Sequence, residues 1–149
     1  MSTTITAQLV PVYKFYSTDP WRFFYSTKRD DAAIRAGWTR AEKIAFHAYN
    51  APTAFTVPVY RFVATAPYRY QYSTNPTPSG PGWKNEGAAF YAFPINSLHR
   101  PSGVAVLQYH AVSADGGWRY QYVVNSTDPG LQGWIKDGIA FYAPAEPGC

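Results

Sequence analysis

The stretch that decides the fold lies in the middle of the chain and consists of four short motifs in a fixed order. These are Val59–Phe62 (VYRF), Tyr68–Thr74 (YRYQYST), Gly82–Trp83 (GW) and Ala88–Ala92 (AAFYA). Tyrosines occupy every other position of the second motif, which is the period of a β-strand. Proline and glycine are frequent between the motifs, so the stretch predicts short strands joined by tight turns.

The same order of motifs occurs once before this stretch and once after it. The spacing from Val12 to Val59 is 47 residues, and the spacing from Val59 to Val106 is again 47. The first copy comprises Val12–Phe15, Trp21–Thr27, Gly37–Trp38 and Ile44–Ala48, and the third comprises Val106–Tyr109, Trp118–Tyr122, Gly133–Trp134 and Ile139–Ala143. The chain therefore contains a threefold internal repeat, with the length variation before each Gly-Trp.

Each copy predicts four short strands, the third beginning at Gly-Trp and the fourth at the Ala-Phe segment. Glu86-Gly87 and Asp137-Gly138 are expected to form the turn between these two strands, with a carboxylate that is also able to face a ligand. Three blades are too few for a propeller, and the terminal copies lack the differences typical of solenoid caps. We therefore expect an all-β fold, a β-trefoil of three four-stranded repeats with pseudo-threefold symmetry. It forms a single domain over 1–149, with repeats at approximately 9–53, 54–100 and 101–149.

Composition excludes several classes of protein. The 149 residues suit one domain with its own core. The aromatic content of 18% is too high for a disordered chain, and the 13 prolines and 11 glycines argue against helical bundles. The net charge of +4 comes from basic residues that are spread over the chain, which favours a soluble basic surface over a nucleic-acid site.

The single cysteine, Cys149, cannot form an internal disulfide. Residues 1–10 lack the pattern of a secretory signal, and the chain has no apolar run long enough to span a bilayer. We therefore expect a cytoplasmic protein without membrane insertion, the alternative being a mature secreted protein whose signal has been removed.

The succession of VYRF, a turn, FYST, GW and EGxAFY resembles a repeat family that forms β-trefoil domains in bacteria and fungi. It is most similar to the mushroom β-trefoil lectins of the king bolete (Boletus) type, which recognise galactose and N-acetylgalactosamine. The resemblance runs from about Val10 to Ala143. It implies a fungal, cytoplasmic lectin, homodimeric and active in defence. Because no copy carries the Gln-x-Trp triplet of ricin-type trefoil lectins, sugar-site positions cannot be carried over from that family.

Sugar binding requires an aromatic face for the apolar side of the ring and planar polar groups for its hydroxyls. An aromatic–arginine pair recurs after the first turn of every copy, and nearby polar residues complete the predicted carbohydrate-binding set. This set contains Asp19, Trp21, Arg22, Tyr68, Arg69, Gln71, Asn75, Asp115, Trp118, Arg119 and Gln121. Alternation places Arg69 and Gln71 on the strand face opposite Tyr70 and Tyr72.

The same residues also have a purely structural interpretation. Trp21, Tyr68 and Trp118 share the phase of the core tyrosines, which favours core packing over ligand stacking. For the arginines, a solvated or carboxylate-paired role is about as well supported as sugar binding. Trp38, Trp83 and Trp134 are expected in the core.

The sequence favours neither catalysis nor cofactors. His47, His99 and His110 occupy unrelated positions in the repeats, and none has a cysteine or carboxylate at metal-ligand spacing. Two other functions stay open. One is protease inhibition through the loops 75–82 or 125–133, and the other is binding of single-stranded nucleic acid, which would show a steep salt dependence.

Overall fold

The computed structural model describes residues 7–17, 21–28, 38–65, 69–77, 80, 82–95, 103–112, 118–124 and 133–144, with backbone alone at 40–43. No helix in these ranges has the length and apolar character that a membrane crossing requires. The strands are β1 (Leu9–Ser17), β2 (Arg22–Ser26), β3 (Thr39–Tyr49), β4 (Val57–Ala64), β5 (Arg69–Ser73), β6 (Lys84–Ala92), β7 (Val104–Val112), β8 (Trp118–Val123) and β9 (Ile135–Ala143).

The strands form three units with the same pairing, namely β1–β3, β4–β6 and β7–β9. In each unit the first strand pairs antiparallel with both the second and the third. The first two units share a sheet of order β2-β1-β3-β6-β4-β5, and the third forms the sheet β8-β7-β9. Two backbone hydrogen bonds of 2.9 Å between Phe93 and Tyr142 join the second unit to the third. The all-β fold class is confirmed.

The prediction of four strands per unit is wrong for the residues described. The expected third and fourth strands are one continuous strand in each unit, because Glu86-Gly87 and Asp137-Gly138 lie inside β6 and β9. The register shifts there instead of turning, and Gly87 and Gly138 have φ of 102° and 123°. A glycine tolerates this left-handed backbone, so the sequence signal taken for a turn marks a β-bulge.

The first strand of each unit also departs from simple alternation. Its two most buried residues are three positions apart: Val12 and Phe15 in β1, with the same spacing in β4 and β7. A register shift falls between these residues in every unit. The irregular pairing bends the strand, so both side chains reach the core.

Three equivalent tyrosines, Tyr25, Tyr72 and Tyr122, meet at the centre of the molecule. Each is 1% exposed, and their ring centroids are 5.4–5.6 Å apart with nearly perpendicular planes. A second layer is formed by Phe46, Phe90 and Phe141, whose centroids are 5.5–5.7 Å apart. Edge-to-face contacts are the preferred geometry of packed aromatic rings. The repeated aromatics therefore build the core in layers to which every unit contributes one ring.

The tyrosine hydroxyls also satisfy backbone groups of neighbouring units. The amide of Tyr25 donates to the Tyr72 hydroxyl at 2.6 Å, the amide of Tyr72 to the Tyr122 hydroxyl at 2.8 Å, and the amide of Tyr122 to the Tyr25 hydroxyl at 2.7 Å. The Tyr72 hydroxyl donates to the carbonyl of Tyr25 at 2.6 Å. Because β2, β5 and β8 end their sheets, these backbone groups lack a neighbouring strand. The hydroxyl groups of these three tyrosines, which together form a central ring of side chains, take the place of the missing neighbouring strand.

We predict that Tyr72→Phe destabilises the protein by about 2–4 kcal/mol, since an unpaired buried polar group costs about 1–3 kcal/mol and two groups of Tyr25 lose their partner. Chemical denaturation measures the free energy of unfolding. Tyr60→Phe is the control, because the Tyr60 hydroxyl makes no hydrogen bond that the described residues show; this change should have little effect. If the two variants lost the same free energy of unfolding, the hydrogen bonds of the central ring would not stabilise the protein as proposed.

We also predict a loss of stability at alkaline pH. Burial raises the pKa of Tyr72 and Tyr122 above that of a free tyrosine, although hydrogen bonds to the backbone oppose the shift. The folded state thus favours neutral phenols, and its advantage is complete below pH ~10 and falls as the pH rises through the folded pKa. Each tyrosine should lower the free energy of unfolding by about 1.4 kcal/mol per pH unit above ~10. Denaturation at pH 8–11.5 measures this slope, which should be shallower in Tyr72→Phe.

Candidate functional site

The repeated arginines join one unit to the next. Arg69 Nη1 donates to the carbonyl of Trp118 at 3.0 Å, and Arg119 Nη1 donates to the carbonyl of Trp21 at 2.7 Å. Arg22 Nη2 instead donates to the hydroxyl of Ser17 in its own unit at 3.0 Å. These contacts bring the beginnings of β2 and β8 to the same end of the molecule.

Each of these arginines also lies over the tryptophan that follows the glycine in its own unit. The guanidinium carbon is 5.1 Å from the ring centroid of Trp38 for Arg22, 5.4 Å from that of Trp83 for Arg69, and 5.2 Å from that of Trp134 for Arg119. The three tryptophans are half-buried and pack against the core, as the sequence predicts. A cation–π contact therefore holds each guanidinium group together with a hydrogen bond, to a carbonyl for Arg69 and Arg119 and to a hydroxyl for Arg22. The sequence did not indicate these contacts within the protein.

The aromatic partners of these arginines are at the surface. Trp21 is 52% exposed and Trp118 is 45% exposed, so the expectation that they pack in the core is wrong. Two rings lie beside each indole. The ring centroids of Tyr16 and Phe23 are 5.4 and 6.2 Å from that of Trp21, and the ring centroids of His110 and Tyr120 are 4.5 and 6.4 Å from that of Trp118. With the backbone carbonyl held by arginine, each tryptophan presents a positioned aromatic surface.

His110 is itself held in place from the other side. Its Nδ1 is 2.6 Å from Asp137 Oδ1, and Asp137 Oδ2 accepts a hydrogen bond from Gln108 Nε2 at 2.9 Å. The carboxylate beside the bulge of β9 thus orients the ring on which Trp118 rests. The sequence marks Asp137 as a residue of the turn and does not reveal this support.

The two glutamines of the predicted set lie inside the protein. Gln121 is 1% exposed and Gln71 is 8% exposed. Gln121 Oε1 accepts a hydrogen bond from Lys14 Nζ of the first unit. Alternation places a glutamine opposite the tyrosines, but both faces of these short strands are covered, so a surface role does not follow.

Asn75 is exposed, and its side chain shapes the loop after β5. Its Oδ1 accepts from the amide of Thr77 at 3.0 Å, while Asn85 Nδ2 donates to the carbonyl of Pro76 at 3.1 Å. Three further residues of the predicted set, Asp19, Tyr68 and Asp115, lie outside the described residues. The structure thus brings the Trp21 and Trp118 surfaces to one end of the molecule and leaves Asn75 in a loop.

A pocket that the sequence does not predict lies at the seam between the first and second units. It has a volume of about 290 Å³. On one side lies the end of β2 with residues 25–28, and on the other lie Arg61 and residues 86–89. The ion pair between Arg61 Nε and Glu86 Oε1, 2.9 Å long, lies in its wall. The available signal was the Glu86-Gly87 pair, which the sequence flags as able to face a ligand.

The described residues hold no group of three or more histidine, cysteine, aspartate or glutamate side chains suited to a metal ion. The chain belongs to the family described as a domain of unknown function (DUF5648), whose model matches residues 1–93. This range covers the first unit and the second unit through β6. Comparison with curated proteins gives no match, and comparison with solved structures gives none.

We predict that Arg119→Ala destabilises the protein, because it removes a charged hydrogen bond to Trp21 and the contact with Trp134. Together these are worth about 2–4 kcal/mol. Lys84→Ala removes the same charge from an exposed position of β6 and is expected to change the free energy of unfolding by less than about 0.5 kcal/mol. If Arg119→Ala is as stable as Lys84→Ala in denaturation, the arginine does not join the units.

Proposed function

We propose that this member of the DUF5648 family is a lectin with the β-trefoil fold, binding galactose- or N-acetylgalactosamine-type glycans without catalysis. The observation that carries the proposal is the pair of exposed tryptophans, Trp21 and Trp118, at equivalent positions of two units. Tryptophan is enriched at interfaces because its indole combines a large apolar face with a polar N–H group. The sugar class comes from the resemblance described above.

Threefold closure is supported by the equivalence of the units. The strands β2, β5 and β8 contact one another, and each contributes one tyrosine to the central ring. The bulges also recur in the same places of the three units. These features fit a barrel closed around a pseudo-threefold axis, which is the β-trefoil of the proposal.

The physical basis for sugar binding is stacking on a preorganised ring. The axial and ring C–H groups of galactose form an apolar patch that packs against an indole face. Because Arg119 and Tyr16 fix Trp21, little side-chain entropy is lost when a ligand stacks on it. The two surfaces are the described part of up to three related shallow sites, the third being at Tyr68.

Shallow sites of this kind bind single sugars weakly, so useful affinity requires several contacts at once. We therefore propose that the protein works as a homodimer on multivalent glycoproteins or glycolipids. A cytoplasmic location and a defensive role are part of the same proposal and come from the resemblance.

Protease inhibition is the second candidate, and one observation favours it. Asn85 of β6 braces the carbonyl of Pro76 in the loop after β5. A braced, exposed loop is able to enter an enzyme cleft with little loss of entropy. An inhibitor needs only this loop, whereas a lectin uses equivalent positions in several units, and the exposed tryptophans do recur.

A glycan array on the intact protein tests the proposal, with free galactose as competitor. We expect galactose-inhibitable binding that weakens about tenfold in the double variant Trp21→Ala/Trp118→Ala, since loss of a stacked ring costs about 1 kcal/mol or more. Phe55→Ala is the control, because Phe55 is exposed to a similar degree (51%) outside the strands; it should bind as the wild type does.

A silent array with folded protein would overturn the lectin proposal, and inhibition of proteases in a panel would then establish the second candidate. Galactose-inhibitable binding of unchanged strength in the double variant would place the sugar elsewhere and contradict the assignment of the tryptophans.

A further inference from the structure

The pocket between the first and second units differs in construction from the tryptophan surfaces. It is a polar recess rather than an exposed aromatic face, and charged and hydroxyl side chains line it. Its lining residues are Tyr25, Ser26, Thr27, Lys28, Arg61, Glu86, Gly87, Ala88 and Ala89. We propose that it is a separate binding site for one neutral pyranose ring. The inference rests on the proposed function in taking a sugar as the ligand, but not on the tryptophans.

Arg61 is held in place before any ligand arrives. Its Nε donates to Glu86 Oε1 at 2.9 Å, and its guanidinium carbon lies 5.6 Å from the ring centroid of Tyr70. Tyr72, its cross-strand partner in β5, is part of the central ring. Both members of the ion pair are still partly exposed, at 19% and 27%. The pair thus combines fixed geometry with access from outside.

The chemistry of the walls selects the class of ligand. Arg61 and Lys28 are cationic donors, Glu86 is an anionic acceptor, and Ser26 and Thr27 carry hydroxyls that do both. A simple anion would face Glu86, and a simple cation would face Arg61 and Lys28. Vicinal hydroxyl groups both donate and accept, so they satisfy walls of mixed charge without a net charge of their own.

The size and floor of the pocket fit one sugar ring. A volume of about 290 Å³ lies at the lower limit of small-molecule pockets, which are commonly about 300–1,000 Å³. Gly87, Ala88 and Ala89 line the β6 side of the pocket, and their small size leaves room for a flat ring. A Cβ added at Gly87 would meet no atom within 4 Å, so this side of the bulge opens into free space.

The second unit has a smaller residue at this position than the other two units. Ala88 pairs with Tyr60, and the equivalent pairs are Tyr13 with Ile44 and Leu107 with Ile139. Both isoleucines are more than one-third exposed and are tolerated by the fold. An isoleucine at 88 would fill the space that the pocket occupies. Ala88→Ile is therefore a substitution that should block the pocket and that occurs naturally at the equivalent positions of the other two units.

The test is titration of the 15N-labelled protein with methyl β-D-galactopyranoside, followed by the amide signals of Thr27, Lys28, Gly87 and Ala88. We expect saturable shifts in the wild type and, within twofold in affinity, in Trp21→Ala/Trp118→Ala. Ala88→Ile should weaken binding at these amides at least tenfold. Ile139→Ala, the reverse exchange in the third unit, should leave it unchanged. Glu86→Gln, which keeps the shape and removes the charge, should weaken it several-fold.

Each outcome decides between the two sites. Shifts at the seam with a silent glycan array would support the pocket and overturn the tryptophan surfaces. Tryptophan-dependent binding on the array without shifts at the seam would do the reverse. Seam shifts with acetate or glycine but not with methyl galactoside, methyl glucoside or N-acetylgalactosamine would overturn the assignment of a neutral sugar. If Ala88→Ile loses its folded spectrum, wild-type affinity in Glu86→Gln would still overturn the inference.

Discussion

Three strands that end their sheets must bury their outer edge, and this constraint organises the molecule. The edges of β2, β5 and β8 meet at the centre, where water cannot satisfy their amides. Tyr25, Tyr72 and Tyr122 solve the problem because a tyrosine hydroxyl both accepts and donates. Each hydroxyl accepts a hydrogen bond from the backbone amide of the equivalent tyrosine in another unit. The units are thereby interdependent, since no unit satisfies its own edge.

At the surface, hydrogen bonds from arginine side chains also join one unit to another. There, Arg69 and Arg119 donate to carbonyls of other units, and each lies over a tryptophan of its own unit. The acceptor is in each case the backbone carbonyl of the aromatic residue that precedes an arginine in the other unit. Arg119 contacts the neighbouring unit, while the side chain that precedes it, Trp118, is 45% exposed. Frame and proposed binding surface thus come from adjacent residues of one motif.

The repeat, the all-β class and the core aromatics follow from the sequence alone because period and spacing depend on backbone geometry. The environment of an individual side chain does not follow from the sequence in the same way. Gly87 and Gly138 indicate a positive φ, but that signal is common to turns and bulges, and the continuous pairing of β6 and β9 decides between them. Gln71 was expected at the surface but is buried, because β5 is covered on both faces. Trp21 was expected in the core but is exposed, because it precedes β2. The alignment of the copies already shows Ala88 where the other two copies have Ile44 and Ile139, but only the structure shows that Ala88 lines a pocket between two units.

The central claim is that two equivalent tryptophans, fixed by arginines of the frame, receive a sugar. A crystal structure of the protein soaked in galactose tests this claim most directly. We expect three units around a pseudo-threefold axis, with a pyranose ring stacked on the indoles of Trp21 and Trp118. A fully occupied sugar that contacts neither indole, or indoles turned into the core with Arg69 and Arg119 directed at the ligand, would contradict it.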